Sequence, residues 1–203
     1  ATKTPNFKAP PGSVDTHTHI FGPAATYPFS PTRPYTPPEA PLEMFRALHA
    51  KIGIERAVIV NATVHGTDNR VVTDAIAQSN GKYKGVANIN AAMSDADLAA
   101  LGKAGICACR FAFLRRLGGV GDMTVFRTLV DRVAAIGWHV DIYLEAGTIQ
   151  EFVPVLKALP VTYVIDHMGT ISAAKGIDDA EFKALLNLQA SDEKCWVKIT
   201  GPE

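Results

Sequence analysis

The stretch Val14-Asp15-Thr16-His17-Thr18-His19-Ile20 decides how the rest of the chain is interpreted. Its short run of β-branched and alternating polar residues predicts a β-strand. Because successive side chains of a strand point to opposite faces, Asp15, His17 and His19 are expected on one face. Phe21-Gly22-Pro23 follows directly. The two histidines therefore lie where a strand opens into a loop, a position that often carries catalytic groups.

Further strands and helices alternate along the chain. The predicted strands cover residues 14–20, 57–62, 84–89, 106–113, 139–145, 162–167 and 195–200. Apolar residues at helical spacing predict helices around 42–52, 126–133 and 182–189. Two further helix starts carry capping-box patterns, Ser94-x-x-Asp97 and Thr148-x-x-Glu151. Strands separated by helices of this length indicate repeated βαβ units and a parallel sheet.

Two α/β folds fit such repeats, an open doubly wound sheet and a (β/α)8 barrel. The first strand is not followed by Gly-x-Gly-x-x-Gly, which disfavours an open sheet that binds dinucleotides. In the fifth predicted strand, His139, Asp141, Tyr143 and Glu145 alternate with aliphatic residues. Helices cover both faces of an open parallel sheet, whereas the inner face of a barrel strand can carry polar groups towards the mouth. We therefore predict a (β/α)8 TIM-type barrel.

The expected domain organisation is simple. Residues 1–13 form an extended leader, and residues 14–203 form a single (β/α) barrel domain with strands 1–7. A barrel of this class has eight strands and about 250 residues. We expect the eighth strand beyond Glu203.

Composition excludes several classes of partner. Lys and Arg together number 20, as do Asp and Glu, so no net charge draws the chain to nucleic acid or to an anionic membrane. Apolar stretches stay well short of the roughly 18 residues that a membrane span needs, and the first thirteen residues do not resemble a signal peptide. Three cysteines, at positions 107, 109 and 195, suggest reduced thiols and a cytoplasmic protein. Nothing in the sequence predicts an oligomeric state.

Polar residues gather at the ends of the predicted strands, which a barrel would bring to one mouth. His17 and His19 end the first strand, and His167 ends the sixth. A single strand histidine is commonly structural, but three at strand ends point to a site. His49 and His139 lie within periodic segments and are interpreted as structural.

The arginines allow two interpretations. Arg110 lies between Cys109 and Phe111 in a strand, and a buried guanidinium needs an anionic partner. That partner is either a substrate carboxylate or an Asp or Glu of the chain itself. Arg116 either binds substrate or forms part of a solvated loop, and Glu145 either belongs to the site or supports it. Cys107-x-Cys109 lacks the second cysteine pair of a zinc set, so buried free thiols are expected there.

Several motifs together resemble the amidohydrolase superfamily, and within it the branch of 2-pyrone-4,6-dicarboxylate lactonases and muconolactone hydrolases. These motifs occur in order along residues 13–203 and are Asp15-Thr16-His17-Thr18-His19, Pro34-Tyr35-Thr36-Pro37, Val64-His65-Gly66-Thr67-Asp68-Asn69, Arg110-Phe111-Ala112-Phe113-Leu114-Arg115-Arg116-Leu117, Gly137-Trp138-His139-Val140, Leu144-Glu145-Ala146, Ile165-Asp166-His167-Met168-Gly169 and Trp196-Val197-Lys198.

The resemblance implies hydrolysis of a carboxylated or sulfonated lactone by water attack on the ring carbonyl. It implies that His17, His19 and His167 polarise this carbonyl. It also implies substrate binding by a second set of residues: Tyr35, Thr63, His65, Arg110, Arg116 and Tyr143. A dicarboxylated ring needs cationic clamps, and guanidinium groups match carboxylates. The family's water-activating Asp and a further substrate-binding Arg are expected beyond Glu203.

The resemblance favours catalysis without a metal. The Lys and extra His of a two-metal centre are not found on the middle strands, where Tyr143 and Glu145 stand instead. A first alternative is a hydrolase or decarboxylase with one Zn²⁺ on His17, His19 and His167. A second is a non-catalytic acid-binding domain or an inactive fragment. In each case the expected partner is a small acidic molecule.

Overall fold

A computed structural model describes residues 3–117 and 121–200. Strands and helices alternate along them. The seven strands are β1 (Val14–Thr18), β2 (Arg56–Val60), β3 (Tyr83–Ala87), β4 (Ile106–Phe113), β5 (His139–Leu144), β6 (Tyr163–Ile165) and β7 (Cys195–Val197). The six α-helices are α1 (Leu42–Ile52), α2 (Arg70–Ala77), α3 (Asp95–Lys103), α4 (Met123–Ala135), α5 (Ile149–Lys157) and α6 (Ala180–Ser191). The seven predicted strands are confirmed, as are the helices predicted from periodicity.

The chain divides into two compact units, Ala1–Cys107 and Ala108–Glu203. In the first unit, β1, β2 and β3 pair in sequence order and run parallel. The backbone N–H of Gly85 in β3 donates to the carbonyl of Gly105, directly before β4. In the second unit, β4, β5, β6 and β7 also pair in sequence order and run parallel. Both units therefore have the βαβ construction that the sequence predicts. A single domain over 14–203 stays a prediction.

Aliphatic side chains form the core of the first unit. Ile59 and Val60 of β2 and Val86 of β3 are fully buried, as is Val72 of α2. Complete burial of such a side chain contributes about 1.5–3 kcal/mol. Gly85 lies in this layer, where an added Cβ would come within 2.6 Å of side-chain carbons of Val72 and Ile106. The absence of a side chain at Gly85 therefore lets α2 pack directly on the sheet.

The second unit has its own core. Val140, Ile142 and Leu144 of β5 are fully buried, as are Ile149 and Leu156 of α5. The alternate residues of β5, including Asp141 and Tyr143, carry polar groups. One face of β5 is thus apolar and the other polar, as the sequence predicts.

One of the two predicted capping boxes forms. Ser94 accepts a hydrogen bond from the backbone N–H of Asp97, whose carboxylate in turn accepts from the backbone N–H of Ser94. The predicted box at Thr148 is wrong. The Thr148 hydroxyl donates to the carbonyl of Glu145 instead, and the ψ of Thr148 is 2°, not the extended value that a capping residue usually adopts.

The cysteines are free thiols, as expected. Cys109 and Cys195 are buried, whereas Cys107 is partly exposed. Burial raises the pKa of the Cys109 thiol far above its usual range, and the charge of Asp141 acts in the same direction. Over residues 3–117 and 121–200, no helix combines the length and the apolar character needed to span a membrane.

Candidate active site

His17 and His19 form a pair of adjacent rings at the end of β1. Their ring centroids are 5.1 Å apart and the ring planes are nearly perpendicular, at 89°. Nδ1 of His19 lies 2.7 Å from the carbonyl oxygen of Val60, at the end of the neighbouring strand. Since a carbonyl only accepts, Nδ1 of His19 carries the proton, and Nε2 holds the lone pair of the neutral ring. The structure therefore brings these two predicted residues together and orients one of them.

Asp15 does not lie with the two histidines, contrary to the sequence prediction. The pairing of β1 with β2 shifts register between Asp15 and Thr18, so one extra residue interrupts the alternation of side chains. The Asp15 carboxylate accepts from Nε2 of His49 on α1 at 3.0 Å and from the backbone N–H of His17 at 3.1 Å. His49 is buried, in agreement with its structural interpretation. Asp15 therefore anchors β1 to α1.

The loop after β2 is held by a network of asparagine amides. The Oδ1 of Asn69 accepts from Nδ2 of Asn61 at 2.8 Å and from the backbone N–H of Asn88 at 2.9 Å. Its Nδ2 donates to the carbonyls of Thr67 at 3.1 Å and Asn88 at 2.9 Å. Asn88 in turn donates to the carbonyl of Gly66. The loop is therefore fixed by the protein's own groups, a role that the sequence analysis did not assign.

His65 lies in this loop and is buried among aromatic rings. Its ring centroid is 5.1 Å from that of Phe29 and 6.4 Å from that of Phe21. Burial lowers the pKa of His65. Hydrogen bonds with the backbone of Ile20 and Pro28 and the charge of Asp68 act to raise this pKa, but burial has the larger effect. His65 is therefore neutral at pH 7 and offers no positive charge to an acidic ligand.

The other two candidates of the first unit are more accessible. Thr63 begins the short 3-10 turn Thr63–His65 and is partly exposed. Tyr35 is 43% exposed and lies in the segment between β1 and α1. The backbone N–H of Ser30 in this segment donates to the carbonyl of Val64, which joins the segment to the turn.

In the second unit, His167 lies in an unusual turn directly after β6. His167, Met168, Gly169 and Thr170 all have positive φ values, between 52° and 66°. Left-handed backbone is costly for residues with a Cβ, and such residues concentrate at functional sites. The backbone N–H of Met168 donates to the carbonyl of Lys198, and the hydroxyl of Thr170 donates to that of Leu144. These contacts hold the backbone of the turn that carries His167.

Arg110 forms an internal ion pair. Its Nε donates to Oδ2 of Asp166 at 2.7 Å, and both side chains are almost fully buried. Of the two partners that the sequence allowed for Arg110, the structure shows the chain's own carboxylate. Nη2 of Arg110 lies 3.5 Å from Nε2 of His167, and the guanidinium stacks on the Tyr143 ring at 4.5 Å from its centroid. Arg110, Tyr143 and His167 are therefore one cluster, with Asp166 beneath it.

Tyr143 connects this cluster to the loop after β4. The Tyr143 hydroxyl accepts from Nη2 of Arg116 at 3.1 Å, and its ring contacts that of His167 edge-on at 5.0 Å. Glu145 accepts from the backbone N–H of Arg115 at 2.7 Å. Arg116 thus presents an exposed guanidinium beside Tyr143, and Glu145 supports the loop.

Arg110 belongs to a buried group of four charged side chains that the sequence analysis did not predict. Nζ of Lys198 lies 3.2 Å from Oδ1 of Asp166 and 2.5 Å from Oδ2 of Asp141. Both carboxylates are fully buried, and Lys198 is nearly so. Burial raises the pKa of Asp141. The positive charge of Lys198 acts to lower this pKa, and the negative charge of Asp166 acts to raise it. We call Arg110, Asp166, Lys198 and Asp141 the charge tetrad.

The geometry of His167 bears on the zinc alternative. A guanidinium only donates, so Nε2 of His167 faces a donor, and Nδ1 lies 2.7 Å from the hydroxyl of Thr200. A permanent positive charge beside Nε2 disfavours a second cation there. His19 would fit a zinc ligand better, because its Nδ1–H is held by a carbonyl and its Nε2 carries the lone pair. Ligand atoms of His167 and of the neighbouring Asp166 nevertheless lie within 4.8 Å of each other, close enough to share a metal ion. The single-zinc alternative therefore stays a prediction.

Comparison with known protein families matches residues 14–203 to Amidohydrolase. The chain belongs to the amidohydrolase family. It is 42% identical to the 2-pyrone-4,6-dicarboxylate hydrolase of Comamonas testosteroni over 199 residues. The matched region covers 98% of this chain and 65% of that protein. It is 37% identical to the 4-sulfomuconolactone hydrolase of Hydrogenophaga intermedia, with coverage of 97% and 65%. The amidohydrolase chain thus spans about 65% of the length of these curated relatives.

A solved structure extends the comparison to the fold. It is that of a probable 2-pyrone-4,6-dicarboxylic acid hydrolase from Acinetobacter baumannii with citric acid bound. The two chains superpose with a TM-score of 0.79 at 25% identity, over 93% of this chain and 70% of the other. This match and the alternation of parallel strands and helices confirm the predicted (β/α) barrel class of this amidohydrolase.

Proposed function

We propose that this amidohydrolase opens a carboxylated or sulfonated lactone by water attack on the ring carbonyl. The observation that carries the proposal is the cluster of Arg110, Tyr143, Arg116 and His167, which combines an imidazole with two guanidinium groups. The relatives named as hydrolases of 2-pyrone-4,6-dicarboxylate and 4-sulfomuconolactone act on rings with anionic substituents, which supports this class of substrate. The bound citric acid of the Acinetobacter baumannii protein supports a carboxylate-binding site.

The proposed catalytic groups are the imidazoles of His17, His19 and His167, which would polarise the scissile carbonyl and stabilise the developing oxyanion by donating a ring N–H. For His19 this requires a proton on Nε2, because its Nδ1–H donates to the carbonyl of Val60. Removal of one such group typically reduces the rate by about 10²–10³-fold. In this proposal the proton of the attacking water passes to a carboxylate that acts as general base.

The proposed substrate-binding residues are Tyr35, Thr63, His65, Arg110, Arg116 and Tyr143. Arg116 is the stronger of the two proposed clamps, because Arg110 already shares its charge with the buried Asp166. The Tyr143 hydroxyl holds Arg116 and orients its guanidinium. His65, which is neutral and buried, contributes shape and not charge. The chain's balanced net charge supports local recognition of the acid by these arginines.

The His167→Ala variant tests the proposal. Turnover of 2-pyrone-4,6-dicarboxylate is followed by the loss of the pyrone's ultraviolet absorbance, and we expect kcat to fall by about 10²-fold or more. The matched control is His139→Gln, since His139 lies at the start of β5 and contacts neither His167 nor Arg110 among the described contacts. An unchanged kcat in His167→Ala would contradict the proposal.

Two further measurements separate the alternatives. Stoichiometric zinc in the active protein, with loss of activity on chelation, would favour the single-zinc enzyme. Binding of the pyrone dicarboxylate by calorimetry without turnover would favour an acid-binding domain. We further propose a cytoplasmic location, which the three free thiols support.

A further inference from the structure

The charge tetrad is the feature of the second unit that the proposed function leaves unexplained. Arg110 lies in β4 and Asp141 in β5, whereas Asp166 directly follows β6 and Lys198 directly follows β7. All four side chains are almost completely buried. Buried ion pairs rarely stabilise a protein more than apolar residues of similar size would. Its member Arg110 contacts Tyr143 and His167, which connects the tetrad to the candidate site.

The tetrad is balanced, with two cations and two carboxylates. Lys198 lies between the carboxylates of Asp141 and Asp166, and Arg110 pairs with the carboxylate of Asp166. His139, 3.6 Å from Asp141, adds no charge at neutral pH because burial lowers its pKa. If Lys198 were neutral, the guanidinium of Arg110 would be the single cation facing two buried carboxylates.

We propose that Lys198 is a positioning residue that balances the charge of Asp141 and Asp166, and so keeps Arg110 oriented and available to an anionic substrate. The orientation of Arg110 in turn affects two residues of the candidate site. Its guanidinium stacks on Tyr143, and its Nη2 contacts His167. Without Lys198, Asp166 would lose an ammonium group 3.2 Å from its Oδ1, and its carboxylate would turn together with the Arg110 guanidinium that it binds. This inference rests on the proposed function only in assigning a carboxylate ligand to Arg110.

The test combines a charge-removing variant with a second one that restores the balance. Lys198→Met leaves two carboxylates against one guanidinium, and Asp141→Asn/Lys198→Met leaves one of each. We expect Lys198→Met to raise the KM for 2-pyrone-4,6-dicarboxylate about tenfold. One uncompensated charge roughly 10 Å from the ligand produces an effect of this size in a partly buried site. The kcat should stay within about threefold of the parent value. We expect the double variant to return the KM to within about threefold of the parent value.

Calorimetry with citrate as the probe gives a readout that does not depend on turnover. The Kd for citrate should rise about tenfold in Lys198→Met and recover in the double variant. Lys198→Arg, which keeps the charge, should stay within about threefold of the parent. A purely structural lysine would show the opposite pattern, with lost stability and an unchanged Kd in the protein that remains folded.

The outcomes separate this inference from the proposed function. If the parent protein binds citrate but opens no acidic lactone, the proposed function fails, and the citrate titrations still test the role of Lys198. If the parent opens the lactone and the folded Lys198→Met variant keeps its KM and Kd, the inference is overturned. If Lys198→Met does not fold, Asp141→Asn alone decides: added net positive charge should lower the Kd for citrate, and an unchanged or higher Kd would overturn the inference.

Discussion

The asparagine network of the first unit allows a prediction of stability to be worked out bond by bond. Asn69→Ala removes four hydrogen bonds, to the side chain of Asn61, to the backbone N–H and carbonyl of Asn88, and to the carbonyl of Thr67. Each contributes about 0.5–1.5 kcal/mol net, so the sum is about 2–6 kcal/mol. Water entering the vacated space satisfies some of the abandoned groups. We expect the free energy of unfolding to fall by about 3 kcal/mol.

Urea unfolding followed by circular dichroism measures this change, provided that the slope of the free energy against urea concentration stays the same. The matched control is Asn90→Ala, because Asn90 is exposed and its side chain accepts only from the backbone N–H groups of Ala92 and Met93 in a turn. We expect the control to lose less than about 1 kcal/mol. Equal losses in the two variants would show that burial adds nothing to these bonds and would refute the reasoning.

Three further predictions concern other parts of the chain. Gly169→Ala should lower the unfolding free energy by about 1–3 kcal/mol, because Gly169 has a φ of 66° and an added Cβ would lie 2.9 Å from a side chain of α5. Gly121→Ala is the control in the same denaturation assay and should change this free energy little, since Gly121 borders open space. The hydrogen bond from the guanidinium of Arg70 lowers the pKa of Asp68. The ionised Asp68 therefore stabilises the protein fully above the ordinary pKa of 3.8, and this stabilisation is lost as the pH falls through the lower folded-state pKa. Asp68→Asn should therefore flatten the fall in stability at acid pH, and an unchanged acid profile would contradict this. Mass spectrometry after brief treatment with a maleimide should find Cys107 modified before Cys109, and equal labelling would show that the buried thiol is exposed by opening of the native state.

The secondary structure could be predicted because hydrophobic periodicity depends on neighbours in sequence. All seven strands and the helix over 42–52 follow from such patterns. The register shift after Asp15 could not be predicted, since an extra residue in a strand leaves no mark in a period-two pattern. The failed cap at Thr148 has a similar origin, because its hydroxyl has a competing carbonyl at Glu145 that the capping pattern does not consider.

The candidate site was predictable in its residue types and not in their partners. The structure brings His17 and His19 together and groups Arg110, Tyr143 and His167, as the strand-end argument implied. The roles of these residues stay predictions. Lys198 escaped notice because its partners are far away in sequence, with Asp141 57 positions earlier. Asp141 was predicted only as part of the polar row of the fifth strand, with no cation assigned as its partner.

The run of left-handed residues from His167 to Thr170 has a consequence for how activity is lost under stress. A turn of this kind is held in place by its surroundings, here through the carbonyls of Lys198 and Leu144, and has little local preference of its own. Segments of this kind open at a lower free energy than the core around them. Mild denaturant should therefore let the His167 ring leave its position while the apolar face of β5 is still packed, and inactivation should precede unfolding.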